Sequence, residues 1–334
     1  MLIYLMKSIL ITGGAGFIGT HACLLLLQKG FEIIVIDSFI NSHPVFIKKV
    51  IEYHKKNNPL MKNKLNFFKG DLRNINSIEK VFSFAKNNRM DIKAVLHLAG
   101  LKSVKESIDE PMQYWQANFI GTFNLVNVMN KYHCHTLVHS SSACVYGNSR
   151  KNNLNELDEV NPTNPYGKTK LAIENFLKDV QNHTKYNWRI ANLRYFNPVG
   201  AHPSGLIGDS PRGEFNNIFP LLIKVASKEA SHLKIFGRNW PTRDGTCIRD
   251  YVHIMDLVEG HISVIEFLLE NDPQNITINL GRGEGISLLE LVNKFCEVNE
   301  VVIPLEFCAK REGDVARLVT NNALANEILN WSPK

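Results

Sequence analysis

The feature that most constrains the fold is a glycine-rich turn between two short apolar runs near the start of the chain. Residues 7–12, KSILIT, form a β-branched apolar run, and the turn TGGAGFIG follows at 12–19. The next stretch, HACLLLLQKG, has the apolar periodicity of a helix, and FEIIVID at 31–37 is a second apolar run. The order strand, loop, helix and strand predicts one βαβ unit.

The same alternation continues over the first two hundred residues. The apolar runs KLNFFKGDL, AVLHLAG, TLVHSSS and WRIANLRYFN are separated by helix-like stretches. Strands that alternate with helices are typical of a doubly wound parallel sheet. We therefore predict an α/β fold in which residues 1–196 form a Rossmann domain.

The regular alternation of strand-like and helix-like stretches ends after residue 196. NPVGAHPSGLIGDSPRG is rich in Gly and Pro and predicts a long loop, and loops of that length are usually functional. Less regular helices and strands follow. We predict a smaller mixed α/β substrate-binding domain at 197–334, with the apolar helix near 251–270 packing back on the first domain. The Asn/Lys-rich patch at 54–64 predicts a surface loop.

Composition excludes several classes of protein. The 334 residues carry a net charge of +6 without a basic run interleaved with aromatics, which argues against nucleic-acid binding. The six cysteines form no CxxC pair, so we expect reduced thiols and no metal site. The apolar start is broken by Lys7 and is too short to cross a membrane. We predict a cytoplasmic protein without a membrane partner.

The glycine turn predicts a dinucleotide site. Gly13, Gly16 and Gly19, with Phe17 and Ile18 between the last two, follow a strand and open a helix, where a backbone without side chains can approach a pyrophosphate. The alternative interpretation is a purely structural glycine turn before a helix, without a bound nucleotide. A carboxylate that ends the second strand, Asp37, suits an adenosine ribose and repels a 2′-phosphate. The combination therefore favours NAD over NADP.

Two later strand ends add candidates for the same site. GDL at 70–72 follows the third strand and places Asp71 and Leu72 near an adenine, although a carboxylate at a strand-end turn is an equal alternative. LAGLK at 98–102 ends the fourth strand at the carboxyl edge, where ligands bind in such sheets.

A Ser-Tyr-Lys set supplies the predicted catalytic groups. Tyr166 and Lys170 in NPYGKTK share a helix face, and Ser142 in HSSSACVYG ends the fifth strand. A tyrosine with a pKa of about 10 is a poor base at neutral pH. We expect the nearby ammonium and an oxidised nicotinamide ring to favour the phenolate. A YxxxK pair by itself is more often a surface pair, but behind a Rossmann motif it indicates a base.

Seven stretches together resemble the extended short-chain dehydrogenase/reductase family. They are TGGAGFIG, AGLK, SSACVYG, NPYGKTK, LRYFNPVGAHPSG, DGTCIRDYVHIMDL and REGD, and the resemblance spans residues 7–331. It implies a Rossmann sheet, an NAD cofactor and a UDP-sugar substrate. The implied reaction inverts the C4 hydroxyl of a UDP-hexose, UDP-galactose to UDP-glucose and back, through a 4-keto intermediate.

The resemblance also implies further site residues. Lys102, Asn118 and Tyr195 are expected at the cofactor. The substrate is expected to contact Ser142, Cys144, Phe196, Asn197, Asn217, Arg249, Arg311, Asp314 and Leu318. Within this set the two arginines suit the diphosphate, because guanidinium groups bind phosphates as forks. The asparagines at 197 and 216–217 are expected at the UDP group, Asp314 at the uridine ribose and Leu318 at the sugar.

The chain departs from the family pattern at a few places. Cys144 stands where the family has Thr, and Ala117 precedes Asn118 where the family often has a second Asn. Relatives are expected to continue with another helix beyond NWSPK. A homodimer is expected through a helix bundle of the first domain, as is common in the family.

Alternative functions remain at this stage. One is epimerisation of a UDP-N-acetylhexosamine or a UDP-pentose. A sugar-nucleotide 4,6-dehydratase would need an acid pair beside the strand-end hydroxyl, and SSACVYG has none. An NAD-binding regulator without catalysis is a different class, and the intact Ser142, Tyr166 and Lys170 argue against it.

Overall fold

The structure is a computed structural model, and it describes residues 6–182, 185–213, 215 and 217–334. The strands are β1 (Met6–Thr12), β2 (Glu32–Asp37), β3 (Leu65–Lys69), β4 (Met90–His97), β5 (Thr136–Ser142), β6 (Arg189–Tyr195), β7 (Asn197–Val199), β8 (Leu233–Phe236), β9 (Ile248–His253), β10 (Asn275–Leu280), β11 (Gly285–Ser287), β12 (Leu305–Cys308) and β13 (Arg317–Leu318). Strands β1 to β6 overlap the predicted apolar runs, whereas β7 lies at the start of the stretch that was predicted as a long loop.

The helices alternate with these strands in the first half of the chain. They are α1 (Phe17–Gln28), α2 (Pro44–Asn57), α3 (Ile75–Asn87), α4 (Val104–Asp109), α5 (Pro111–Tyr114), α6 (Gly121–Lys131), α7 (Pro165–Asn182), α8 (Ile218–Ala226), α9 (Ile254–Glu270), α10 (Leu288–Asn299) and α11 (Ala323–Leu329). A π-helical segment at Trp115–Ile120 leads into α6, and a 3₁₀ turn at Ala143–Tyr146 follows β5.

A seven-stranded parallel sheet forms the centre of the structure. Its strand order is β10-β6-β5-β4-β1-β2-β3, and every neighbouring pair runs parallel. One apolar cluster includes buried residues of α1 and α9, and a second includes residues of α3, α6 and α7. The order reverses between β1 and β4, where such sheets bind nucleotides. The predicted Rossmann α/β fold is confirmed.

The predicted loop at 54–64 is wrong over its first residues, because α2 extends to Asn57. The helix begins after His43, whose side chain accepts a hydrogen bond from the Val45 N–H, and Ile47, Val50 and His54 are buried. Three buried positions at helical spacing outweigh the polar composition of the last turn.

The second half of the chain forms two small sheets and also returns to the first. β9 pairs with β11, β13 and β7, while β8 pairs with β12. Helix α9 begins at Ile254, three residues later than the predicted stretch 251–270, and packs against α1, while β10 joins the central sheet beside β6. We propose a nucleotide-binding part of residues 1–196 and a substrate-binding part of 197–334 from which α9 and β10 cross back. In the part of the chain that the structure describes, no helix has the length and apolar character of a membrane span.

Candidate active site

A cavity of about 1320 Å³ lies between the carboxyl edge of the parallel sheet and the second half of the chain. Its walls come from the glycine turn, the ends of β2, β4, β5 and β6, and the stretches 208–211 and 308–315. Of the predicted site residues that the structure describes, all but one line it. The structure therefore brings residues from across 300 positions of the chain into one space.

The glycine turn at the start of α1 has the shape that a dinucleotide needs. Gly13 has φ of +70°, and a Cβ on it would lie 2.8 Å from the backbone nitrogen of Ala99. A Cβ on Gly19 would lie 2.4 Å from the Gly13 carbonyl oxygen. Gly16 caps α1 without a side chain, which leaves first-turn N–H groups for a pyrophosphate. This turn fits the pyrophosphate of NAD, because bulkier residues in place of these glycines would block its approach to the backbone.

Asp37 is fixed at the end of β2 by three hydrogen bonds. One carboxylate oxygen accepts from Ala15 N at 2.9 Å, and the other accepts from Phe39 N and Ser42 Oγ, each at 2.8 Å. A carboxylate has about four acceptor positions, so capacity for a ribose hydroxyl remains. The side chain borders the cavity while its own orientation is set by the protein.

Replacing Asp37 with serine should narrow the preference for NAD over NADP by roughly tenfold, which is about 1.4 kcal/mol. The substitution removes the negative charge that would face a 2′-phosphate. Dissociation constants of both cofactors, measured by calorimetry on protein freed of cofactor, give the result. Asp272→Ser on an exposed turn is the control. Purification of the unmodified protein with NADP bound would contradict the argument.

The predicted adenine contacts lie at the same end of the cavity. Arg73 donates to the Asp71 carboxylate from Nε at 3.0 Å and from Nη2 at 2.6 Å, and this lowers the pKa of Asp71. Leu72 is buried and also lines the wall, and Lys102 lies exposed at the rim. Their contacts with the cofactor stay predictions.

Asn118 is the exception among the predicted cofactor residues, since it lies behind the cavity wall. The residue is 1% exposed. Its amide oxygen accepts from Leu101 N at 2.8 Å, and its amide nitrogen donates to Leu101 O at 3.1 Å and to Thr169 Oγ1 at 3.2 Å. These partners use both hydrogens and one acceptor position of the amide, and contact of Asn118 with the cofactor stays a prediction. Asn118 holds the loop after β4 against α7.

The start of α7 places the predicted catalytic tyrosine and lysine. Asn164 Oδ1 accepts from Gly167 N at 2.9 Å, as a helix N-cap does, and Pro165 occupies the first turn. A Cβ on Gly167 would lie 2.9 Å from the Cys144 carbonyl oxygen. Glycine therefore lets α7 approach the end of β5, where Ser142 lies.

Tyr166 and Lys170 are both buried at the cavity wall. The Lys170 ammonium donates to the Ser140 carbonyl oxygen at 2.5 Å and lies 5.9 Å from the centroid of the Tyr166 ring. The three predicted catalytic residues therefore share one corner of the cavity.

The expected lowering of the tyrosine pKa is wrong for the protein's own groups. Burial raises the pKa of Tyr166 well above its usual value, and the hydrogen bond with Ser142 offsets only part of this. Burial also lowers the pKa of Lys170, to about 8. The sequence could not weigh this desolvation, which disfavours both charged forms. The Lys170 ammonium near the ring and a cation brought by the cofactor are the influences that favour the phenolate.

Apolar and aromatic residues surround the space next to these groups. The Tyr195 hydroxyl is hydrogen-bonded to Ser140 Oγ, and burial raises its pKa to about 12. Phe196 and Leu318 belong to one small apolar cluster and also line the cavity. Cys144 adds a thiol whose pKa burial raises, so the thiol stays neutral at physiological pH.

The far end of the cavity carries the predicted diphosphate-binding groups. Arg249 is buried, with Nη1 donating to the Ile248 carbonyl at 2.9 Å and Nη2 donating to Asp314 Oδ1 at 3.0 Å. The Arg311 guanidinium lies 3.7 Å from the centroid of the Phe236 ring. Two guanidinium groups thus stand at one end of the space, each oriented by a neighbour.

The two asparagines that are predicted to contact the UDP group have different surroundings in the structure. Asn217 Nδ2 donates to Asp209 Oδ2 at 2.5 Å, and Asn197 in β7 lines the cavity. The predicted contribution of Asn216 lies outside the described residues.

Sequence reasoning missed several residues that shape the site. Phe236 carries Arg311, Asn164 caps α7, and Ser140 binds both Lys170 and Tyr195. The alternation of TLVHSSS contained a usable signal, because Ser140 and Ser142 must face the same side of a strand. Among the described residues, no cluster of three or more His, Cys, Asp or Glu is placed to hold a metal ion.

Comparison with known proteins agrees with this geometry. A family profile described as GDP-mannose 4,6 dehydratase matches residues 10–334. A bifunctional UDP-glucose 4-epimerase and UDP-xylose 4-epimerase from Pisum sativum is 43% identical over 329 residues, covering 98% of this chain and 91% of that protein. The UDP-glucose 4-epimerase of Bacillus subtilis is 42% identical over 328 residues, covering 98% and 92%.

A solved structure extends the comparison to three dimensions. The UDP-glucose 4-epimerase of Bifidobacterium longum, in complex with NAD+ and UDP, superimposes with a TM-score of 0.90 at 37% identity and covers 98% of this chain and 93% of its own. The chain therefore belongs to the GDP-mannose 4,6-dehydratase family of extended short-chain dehydrogenases, alongside the UDP-glucose 4-epimerases.

Proposed function

We propose that the protein interconverts UDP-galactose and UDP-glucose by inverting the C4 hydroxyl, with NAD as its cofactor. The observation that carries this proposal is the single cavity that joins the glycine turn to the Tyr166 corner and the Arg249 end. The relatives that bear this activity in their names match 98% of the chain.

The residues at the Tyr166 corner perform the proton transfer. The glycine turn and Asp37 would hold NAD, which would supply the hydride acceptor for C4 and the hydride donor for the opposite face of the 4-keto sugar. The Tyr166 oxygen accepts the O4 proton and later gives it back as a general acid, while Ser142 hydrogen-bonds O4. Lys170 keeps its ammonium near the tyrosine ring and stabilises negative charge there.

The diphosphate end holds the substrate while the sugar turns. Inversion requires the 4-keto sugar to present its other face, so the fixed contacts belong on UDP rather than on the hexose. Arg249 is held by Ile248 and Asp314, which keeps the guanidinium in place when the sugar moves. Asn197, Asn217 and Arg311 are proposed to complete this anchor.

The name of the family profile suggests dehydration as a second reaction. A 4,6-dehydratase removes water from C5 and C6 and needs a carboxylic acid beside the strand-end hydroxyl. In this chain Ala143 and Cys144 follow Ser142, and burial keeps the thiol neutral. The site therefore supports epimerisation.

Separation of products from a panel of UDP-sugars tests the function. We expect conversion of UDP-galactose to UDP-glucose and the reverse. UDP-xylose belongs in the panel because the Pisum sativum relative is named for both activities. A 4-keto-6-deoxy product, or no product from any sugar while NAD and UDP bind, would overturn the proposal. The second outcome would support an NAD-binding regulator.

Leu318 is proposed to border the sugar, and its size should set tolerance for an N-acetyl group. The residue is 8% exposed and lines the cavity from β13. We expect Leu318→Tyr to lower kcat/KM for UDP-N-acetylglucosamine more than for UDP-glucose, by roughly tenfold, since one apolar wall discriminates by about 1–3 kcal/mol. Leu318→Met conserves volume and is the control. Equal losses on both sugars would show that Leu318 is not the selective wall.

We also propose a cytoplasmic homodimer. Met112, Trp115, Ile120 and Phe123 lie close together along the chain and are exposed, Met112 by 71%. Such a patch on α5, the π-helical segment and α6 suits a second copy of the chain. Sedimentation should give twice the mass of the 37.9 kDa chain.

A further inference from the structure

A buried ion pair lies behind the catalytic corner and is not used by the proton transfer. Glu174 and Arg194 are each 6% exposed, and neither lines the cavity. Arg194 donates from Nε to Glu174 Oε1 at 2.9 Å and from Nη2 to Oε2 at 2.6 Å, which is a bidentate fork. Glu174 follows Lys170 by one helical turn on α7.

The pair joins α7 to the strands that carry the other catalytic groups. Ser141 Oγ donates to Glu174 Oε1 at 2.5 Å, and Ser141 is the register partner of Arg194 between β5 and β6. The third arginine nitrogen, Nη1, donates to the Tyr146 hydroxyl at 3.1 Å, and this hydroxyl donates to Asn279 Oδ1 at 2.7 Å. One carboxylate therefore ties α7 to β5 and β6, and through the arginine to the 3₁₀ turn and β10.

Stability alone is a weak reason for such a pair. Apolar residues of similar volume in place of a buried ion pair are often neutral or stabilising. The pair instead fixes an orientation, because the fork and the Ser141 hydroxyl define where α7 lies along the strand ends. A misplacement of about 1 Å at a catalytic group costs roughly a hundredfold in rate.

We propose that Glu174 and Arg194 act as a positioning pair, which fixes α7 against the ends of β5 and β6 and so sets where the Tyr166 hydroxyl lies. This inference rests on the proposed function, in which Tyr166 carries the proton. The pair touches neither sugar nor cofactor and acts through the helix.

The charge of Glu174 gives the pair a second effect, on Lys170. The titratable groups near this ammonium are His97 on β4, His139 on β5, Cys144, Tyr166 and Glu174. Burial lowers the pKa of both histidines, His97 to about 3, so they are neutral above pH 6. Burial also keeps the thiol and the phenol protonated in the protein.

Glu174 is therefore the charged group among these neighbours. Its carboxylate favours the ammonium form of Lys170, whereas burial disfavours that form. Its loss lowers the pKa of Lys170 further. The alkaline limb of the pH–rate profile should then move to lower pH, because the ammonium is lost as pH rises through its pKa.

The test replaces both charges at once, in Glu174→Met/Arg194→Met, and compares turnover with stability. We expect Tm, NAD content and UDP affinity close to those of the parent, kcat at least tenfold lower, and the alkaline limb at lower pH. The matched control is Lys29→Met/Glu266→Met, which removes the exposed pair between α1 and α9 and should change none of these. Parental kcat with a parental pH profile in the double variant would overturn the proposal.

A second variant covers failure of the double variant to fold. Arg194→Lys keeps the charge and loses the fork, so we expect a folded protein with kcat severalfold lower and UDP affinity unchanged. Parental kcat in Arg194→Lys would overturn the proposal.

Nuclear magnetic resonance separates the positioning role from the reaction. Tyrosine labelled with carbon-13 in the ring, assigned through Tyr166→Phe, should show a shifted Tyr166 signal in both variants. This readout does not need turnover, so it tests the pair even if the parent converts no UDP-sugar and the proposed function fails. An unchanged Tyr166 signal in the folded variants would overturn the positioning role.

Discussion

Tyr166→Phe should reduce epimerase turnover at least about a hundredfold, the lower range for loss of a general acid–base group. The substitution removes the phenolic oxygen that is proposed to carry the proton, and it leaves Ser142 as the hydroxyl beside the buried ring. NAD should stay bound, because the glycine turn and Asp37 are untouched. Turnover of UDP-galactose and the NAD content of the purified protein are the two measurements.

A second tyrosine provides the control for this experiment. Tyr132 is hydrogen-bonded to Ser83 at 2.7 Å and does not line the cavity. Tyr132→Phe should keep the parental rate. Near-normal turnover in Tyr166→Phe would remove this residue from the mechanism.

Arg249→Ala should lower the affinities for UDP and for UDP-sugars by similar factors, on the order of a hundredfold, since removing one buried charged partner costs about 2–5 kcal/mol of binding free energy. The reason is that both ligands share the diphosphate, which the arginine is proposed to hold. Calorimetric titration of UDP and UDP-glucose gives the two affinities.

The control for the arginine is Arg243, whose side chain is about half exposed and paired with Glu290 away from the cavity. Arg243→Ala should leave both affinities unchanged. Unaltered UDP affinity in Arg249→Ala, with weakened UDP-sugar, would place Arg249 on the sugar instead.

The sequence predicted the central sheet well because its strands are short apolar runs between clear turns. The glycine turn and Asp37 were predictable for the same reason, since local spacing alone brings them together. The pairing of Arg249 with Asp314 was not, because it joins residues 65 positions apart. The resemblance placed both at the substrate without their mutual contact.

Two features of the site could not be predicted from the sequence, for physical reasons. The tyrosine pKa depends on how much water the site excludes, and no motif encodes burial. The family resemblance implies that Asn118 lies at the cofactor, but it does not show that the amide is hydrogen-bonded with Leu101 and Thr169 behind the cavity wall. Both features concern the environment of a residue and not its position in the chain.

The return of α9 and β10 to the central sheet limits how the protein can be divided. A fragment that ends at residue 196 would lack β10, leaving β6 as an open sheet edge, and would expose the apolar side of α1 that α9 covers. Open edges and bare apolar faces promote aggregation. Residues 197–334 therefore cannot be exchanged between enzymes by one cut and one splice, and a chimaera needs at least three junctions, near residues 196, 254 and 280.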